Sequence, residues 1–128
     1  MAEGSTGLNI TFKAARDLSS YQYHFVSVSA ANTVDYSGDK GRCIGILQNA
    51  PNAAGEAAVV MVEGISKLRA YGAVNRLEKL MSSAQSGYAA HGEVAATAST
   101  WVGAIALETG TASDDLLTVL ITGFELQA

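Results

Sequence analysis

The feature that most constrains this chain is a pair of apolar runs within residues 41–64, GRCIGILQNAPNAAGEAAVVMVEG. The runs RCIGILQN and AAVVMVEG are rich in residues that favour strands. The segment between them, APNAAGE, carries Pro51 and Gly55, which favour a reversal of the chain. This pattern predicts a β-hairpin, with Gly45 early in its first strand and Gly64 closing its second strand.

A similar phrase returns at residues 101–123, WVGAIALETGTASDDLLTVLITG. It again places a glycine early in the first apolar run, a small polar connection, and an apolar run closed by glycine. Two copies are too few for a solenoid, which needs at least about three stacked repeats. The sequence therefore predicts an all-β fold, a small pseudo-symmetric β-barrel or sandwich of hairpins. The predicted structural turn residues are Gly45, Pro51, Gly55, Gly64, Gly103 and Gly123.

The chain length and its first residues predict one domain preceded by a short arm. A chain of 128 residues can bury about two-thirds of the surface that its unfolded form exposes, enough for one core. Residues 1–7, MAEGSTG, are small and polar, so we expect a flexible N-terminal arm and a single β domain over 8–128. The domain begins with LNITF, whose alternation is typical of a half-buried strand.

The segment from residue 73 to residue 83 is the ambiguous part of the chain. Val74, Leu77, Leu80 and Met81 fall at helical spacing, which favours a short helix over 73–81. The other interpretation is a single helical turn that leads into a strand over 79–83, and this is the one we favour. In either case the fold contains at most one short helix.

The composition indicates association with other protein chains rather than with nucleic acid or membranes. Hydrophobic residues make up 48% of the chain, and charged residues 16%, against about 25% in an average soluble domain. The formal net charge of −4 gives no general attraction for phosphate backbones or anionic lipid. The first residues lack a secretory pattern, so we expect a soluble protein that is not exported by the usual route.

The residues that could carry chemistry are few and poorly spaced for it. His24, His91 and Cys43 cannot complete a four-ligand zinc site without carboxylates at unrelated spacings. We expect each histidine to be a strand residue with its ring at the surface, and Cys43 to be a buried, inert thiol. Asp114 and Asp115 are expected to be solvated turn formers. No catalytic residue, cofactor or metal is predicted, and the chain is not expected to be an enzyme.

The chain resembles a known family through two phrases. The first is GILQNAPNAAGEAAVV, with G-x-L-Q-N-x-P and G-E-A intact, and the second comprises Gly103, Ala106, Leu107, Glu108, Asp115 and Leu116. The family comprises the small phage proteins encoded beside major capsid genes and treated as capsid decoration, or cement, proteins. Residues 74–83 and the final FELQA depart from its pattern.

This resemblance implies a virion protein, made in the bacterial host cytoplasm, that binds and stabilises the outer surface of an assembled capsid. It implies the major capsid protein lattice as partner, self-association with a homotrimer as one form, and no catalytic residues. The alternatives are a tail- or fibre-associated assembly protein and a small ligand-binding β-barrel.

The candidate residues for capsid or subunit contact are Leu8, Asn9, Ile10, Phe12 and Trp101. An arm that ends in a short apolar strand could add to the edge of a partner's sheet. Equally, the alternation from Leu8 to Phe12 fits a strand of the domain's own sheet. Trp101 fits either a core position or an interface anchor.

Overall fold

The computed structural model describes residues 6–38, 41–83, 90–95 and 100–125. This part of the chain folds into strands and contains no helix long and apolar enough to cross a membrane. The prediction of an all-β fold is therefore confirmed. The strands are β1 (Thr6–Ala14), β2 (Phe25–Ala30), β3 (Thr33–Tyr36), β4 (Gly45–Leu47), β5 (Ala57–Arg69), β6 (Lys79–Ser82), β7 (Gly92–Val94), β8 (Trp101–Ala106) and β9 (Leu116–Glu125).

The strands form one sheet in the order β1-β3-β2-β4-β5-β9-β8-β6-β7. β1 also pairs with β5, which closes β1, β3, β2, β4 and β5 into a ring. β1 and β3 run parallel, while the other strand pairs are antiparallel. The second half of β5 pairs with β9, so this long strand joins the ring to the remaining strands.

The start of β2, the whole of β4 and the middle of β5 are buried on both faces. Successive residues point alternately into two hydrophobic clusters, one on each side of these strands. Strands covered on both faces are apolar without interruption, which explains the continuous apolar runs in the sequence. The residues that face opposite clusters are Phe25 and Val26, Ile46 and Leu47, and Met61 and Val60.

Both predicted hairpins are present and lie next to each other in the sheet. β4 pairs antiparallel with β5, with Leu47 opposite Val60, and β8 pairs antiparallel with β9, with Ile105 opposite Leu120. Gly55 lies in the connection between β4 and β5 with a positive φ of 88°, a conformation that glycine adopts without strain. The hairpins meet where β5 pairs with β9.

Four of the six predicted turn glycines and prolines lie inside strands, so their predicted turn role is wrong. They are Gly45 in β4, Gly64 in β5, Gly103 in β8 and Gly123 in β9. Pro51 and Gly55 do lie in the β4–β5 connection, where the Pro51 carbonyl accepts a hydrogen bond from the Leu18 amide at 2.8 Å.

Close approach of neighbouring atoms explains why glycines occupy these strand positions. A Cβ atom on Gly45 would overlap the carbonyl oxygen of Met61 on the paired strand. A Cβ atom on Gly103 would lie 2.5 Å from the Cys43 Sγ and 2.7 Å from the Phe25 ring. Since real Cβ atoms do not approach neighbours this closely, the two hairpins need residues without a side chain there.

The helix considered for residues 73–81 is absent, and so is the single helical turn. Val74 instead forms an isolated bridge with Gly110, and the backbone turns at Leu77, whose φ is +69°. The strand predicted over 79–83 is confirmed as β6, which pairs with β7 and β8. The helix fails because Val74 and Leu77 donate their amides to the distant carbonyls of Gly110 and Ala106.

The predicted arm at residues 1–7 lies only partly within the described ranges. Residues 1–5 fall outside them, whereas Thr6 and Gly7 already belong to β1, opposite Ile65 and Gly64 of β5. The strand therefore begins two residues before the predicted domain boundary at residue 8.

Candidate functional site

A surface groove of about 560 Å³ brings together three of the five predicted contact residues. Ile10 and Phe12 of β1 line the groove, and so does Trp101 at the start of β8. The other predicted contact residues, Leu8 and Asn9, are exposed on the same strand. The rest of the lining is mainly apolar, with the carboxylate of Glu63 as a charged member: Val28, Cys43, Ile44, Val62, Glu63, Ile121, Thr122 and Gly123.

Strand β1 belongs to the domain's own sheet, and it is nevertheless exposed. It pairs with β5 from Thr6 to Lys13, whereas its other edge pairs with β3 only at Lys13 and Ala14. Within the described residues, the second edge of β1 is therefore unpaired before Lys13. Leu8 is 56% exposed and Ile10 is 43% exposed, so the strand with this unpaired edge also carries exposed apolar side chains.

Trp101 is held in place by three contacts. Its indole nitrogen donates a hydrogen bond to the Cys43 carbonyl oxygen at 3.2 Å. The Arg42 guanidinium lies 5.6 Å from the centre of its ring, within range of a cation–π interaction. Its six-membered ring lies against Gly123, where a Cβ atom would be 3.1 Å away. The side chain is half-buried, packs against the core and lines the groove, and its role as an interface anchor stays a prediction.

Sequence reasoning missed the groove residues Val28, Val62 and Ile121. They lie in β2, β5 and β9, far apart in the chain. Each belongs to an apolar run, and a strand pattern does not distinguish a residue facing the core from one lining a groove. The pairing of strands across the sheet, β2 with β3 and β4, and β5 with β1 and β9, brings these residues together.

Cys43 is buried, as predicted, and its burial raises the pKa of the thiol to about 12. Because the thiolate is the reactive form, the folded protein should not react with an aromatic disulfide reagent at pH 8. Absorbance of the released thiolate should show one reacting group per chain only after denaturation. Stoichiometric labelling of the native protein within minutes would contradict this prediction.

The two histidines lie in the interior, so the prediction that their rings are at the surface is wrong. His24 is 5% exposed and His91 is 4% exposed. Their rings meet edge to face with 4.4 Å between ring centres. The His91 Nε2 atom lies 2.6 Å from the Asp114 Oδ1 atom. Neither histidine is within a strand, since His24 precedes β2 and His91 precedes β7.

Asp115 is a turn former, as predicted, whereas Asp114 also contacts His91. The Asp115 carboxylate accepts hydrogen bonds from the amides of Thr111 and Ala112 at 2.8 and 3.0 Å. These bonds hold the pKa of Asp115 below its ordinary value. Across the described ranges, no group of three or more histidine, cysteine, aspartate or glutamate side chains could hold a metal ion.

Comparison with known proteins identifies a likeness of fold. No protein-family model and no curated protein matches the chain. Among solved structures, the chain is similar to one described as the crystal structure of the head fiber gp8.5 N base in bacteriophage phi29. The TM-score is 0.67 at 12% sequence identity, and the match covers 94% of this chain and 98% of that chain. The two chains therefore share one architecture over nearly their whole lengths.

Proposed function

We propose that this chain is a structural protein of a phage virion that binds the outer surface of the assembled capsid and stabilises it. The observation that most supports the proposal is the likeness in fold, over nearly both chains, to a protein described as a head fiber base. The sequence resemblance to capsid decoration proteins supports the same role through different evidence. The proposed function needs no catalytic residue, cofactor or metal, and the chain is proposed not to be an enzyme.

The proposed contact surface consists of the outer side of β1 and the adjoining groove. Leu8 and Ile10 expose apolar surface whose burial is favourable by about 25 cal/mol per Å². The open edge of β1 offers backbone hydrogen-bonding groups to an extended segment of a partner. The groove beside it could accept a large apolar side chain, with Trp101 as an anchor.

Stabilisation of a shell follows from mass action. A protein that binds the assembled lattice better than the free subunits shifts the equilibrium towards the assembled state. Each copy need contribute little, because the same contact is repeated over the whole lattice. Self-association would strengthen attachment further by linking several contacts. The proposed partners are therefore the major capsid protein lattice and other copies of this chain, and not nucleic acid or membranes.

Binding to purified capsids tests the proposal. Expanded, undecorated capsids of the encoding phage are mixed with the purified chain, and co-sedimentation and the melting temperature of the shell are measured. We expect saturable binding and a higher shell melting temperature. The variant Ile10→Ser should weaken binding about tenfold, because it removes about 1–2 kcal/mol of apolar burial from the proposed interface.

The matched control is Leu77→Ser, which removes a side chain that is 73% exposed and does not line the groove. This variant should bind as the unmodified chain does. Unchanged binding by Ile10→Ser would place the contact elsewhere on the surface, and equal weakening by both substitutions would mean that the effect is not specific to the groove. Absence of binding to capsids by the unmodified, folded chain would refute the capsid role.

A fibre-associated role is the second candidate, and the likeness in fold to the head fiber base of bacteriophage phi29 favours it. In that case the chain would attach a fibre to the virion rather than reinforce the shell. Immunogold electron microscopy of virions separates the two roles, because a shell protein labels the capsid uniformly. Labelling confined to fibres or tails would favour the second candidate.

A further inference from the structure

A cluster of ionisable side chains lies away from the groove, where four segments of the chain meet. His24 comes from the segment before β2, His91 from the segment before β7, and Asp114 from the β8–β9 connection. The fourth segment is the end of β5, where Arg69 hydrogen-bonds through its guanidinium to the Asp114 carbonyl oxygen at 2.9 Å. Both histidines are almost completely buried, and Asp114 links His91 to the protein surface.

The backbone around this cluster is strained. Five non-glycine residues of the described ranges have a positive φ, and Tyr23, Ala90 and Asp114 at this cluster are three of them. Such conformations persist only where the surrounding structure holds them, and they concentrate where a function needs them. The hydrogen bonds that hold the segments together are Phe25 N to Ala90 O (3.0 Å), Arg69 N to Tyr23 O (2.9 Å) and Asp114 N to Ala70 O (2.8 Å).

His24 has one nitrogen available for an added proton. Its Nδ1 atom lies 3.0 Å from the Gln22 carbonyl oxygen, which can only accept, so Nδ1 carries the hydrogen of the neutral ring. Acid must therefore protonate Nε2. The ring is enclosed by the Tyr21 ring, at 5.2 Å between centres, and by the His91 ring. A charge there would be far less hydrated than in water.

The charges around His24 do not compensate for this burial. Burial lowers the pKa of His24 from 6.5 to about 4, against the opposing effect of the Gln22 carbonyl. His91 and Arg69 lower it as well, and Asp114 raises it. The pKa of His24 is lower in the closed structure than its ordinary value of 6.5. The neutral ring therefore contributes its full stabilisation of the closed structure above pH 6.5. That stabilisation is lost progressively as the pH falls towards 4.

We propose that His24, His91 and Asp114 form an acid-sensitive latch, which holds residues 90–92 and 111–115 against the segment before β2 and the end of β5. Uptake of a solvent proton by His24 opens the latch. The strained backbone at Tyr23, Ala90 and Asp114 then relaxes, because its hydrogen bonds hold it only while the segments are packed together. The junction of β1 with the start of β5, where the Ala14 amide bonds to the Glu56 carbonyl at 2.9 Å, stays closed at pH values that open the latch.

Amide hydrogen exchange of the whole chain between pH 7 and pH 4 tests this proposal, after correction for the intrinsic effect of pH on exchange. The latch amides are those of Phe25, Arg69 and Asp114, and the reference amide is Ala14, which bonds to the Glu56 carbonyl just before β5. The opening constant of the latch amides should rise about a hundredfold between pH 7 and pH 4. This is the change expected when the pKa of His24 is 6.5 in the open form and about 4 in the closed form. The reference amide should change much less.

The variant His24→Phe keeps an aromatic ring and removes the titrating group, so the pH dependence of the latch amides should become flat. Asp114→Asn is the companion variant: it should loosen the latch at neutral pH and still show acid-induced opening through His24. A wild-type chain whose latch amides do not open with acid, or a His24→Phe chain that opens as the wild type does, would overturn the proposal.

If His24→Phe does not fold, the NMR titration of the His24 ring in the wild-type chain decides the question. A pKa near 4 with simultaneous opening of the latch amides supports the latch. A pKa near 6.5 without opening overturns it.

Discussion

Replacing Gly45 with alanine should destabilise the domain by about 3 kcal/mol, at the upper end of the usual cost of overpacking. The added Cβ atom would overlap the Met61 carbonyl oxygen and lie 2.9 Å from the Val60 Cγ1 atom. The Met61 oxygen is a backbone atom, so rotation of a side chain cannot relieve the clash. Strand β4 must instead move away from β5. This movement disturbs both hydrophobic clusters, because these two strands contribute residues to each of them.

Thermal unfolding followed by circular dichroism measures this effect. A loss of 3 kcal/mol should lower the melting temperature by about 10 °C in a domain of this size. Gly38→Ala is the matched control, because a Cβ atom there has open space around it and meets no atom within 4 Å. A Gly45→Ala chain that melts within 2 °C of the control would show that β4 and β5 do not approach as closely as described.

The hairpins could be predicted from the sequence because their signals are local. Pro51 and Gly55 stand between two strand-forming runs, and the polar connection before Leu116 stands between two others. The glycines at positions 45, 64, 103 and 123 mark these phrases but lie in strands rather than in their turns. Gly45 and Gly103 are required by atoms of Met61 and Phe25, whose proximity depends on pairing between strands rather than on neighbouring residues.

The segment from residue 73 to residue 81 shows how distant pairing overrides a local pattern. Val74 and Leu80 are buried as a helical stripe would require, but Leu77 points into solvent. The backbone of this segment is bonded to the β8–β9 connection and the end of β8, about 30 residues away in the sequence. Short apolar runs fit a helix and a strand equally well when such partners are unknown.

The two histidines and the groove share a different difficulty. His24 and His91 lie far apart in the chain, and nothing beside either residue indicates a buried partner. The sequence identifies Ile10, Phe12 and Trp101 as candidates separately, but their convergence on one groove depends on the register of β1, β5, β9 and β8. The register of each strand depends on its pairing with the other strands of the sheet. A site formed by several strands therefore cannot be predicted from the sequence of a single strand.

Deleting residues 1–12 should unfold the domain, whereas deleting residues 1–5 should leave its melting temperature within about 3 °C of the full chain. The longer deletion removes seven of the eight β1 positions that pair with β5, from Thr6 to Phe12. It opens the ring of strands and uncovers the cluster against which Phe12 packs. The shorter deletion removes none of these pairs. Far-ultraviolet circular dichroism and urea titration of both truncated chains measure the difference.

The two deletions also separate the interpretations of the N-terminal strand. If β1 acted only as an arm for a partner, the chain without residues 1–12 would keep a cooperative unfolding transition and lose only its binding. Because β1 closes the ring, we expect the transition itself to disappear, with a loss of stability of more than about 3 kcal/mol. A cooperative transition of unchanged midpoint in the longer deletion would contradict the role of β1 in the fold. For the same reason, substitutions at exposed side chains such as Ile10 test binding more cleanly than truncation, since they leave the β1–β5 pairing in place.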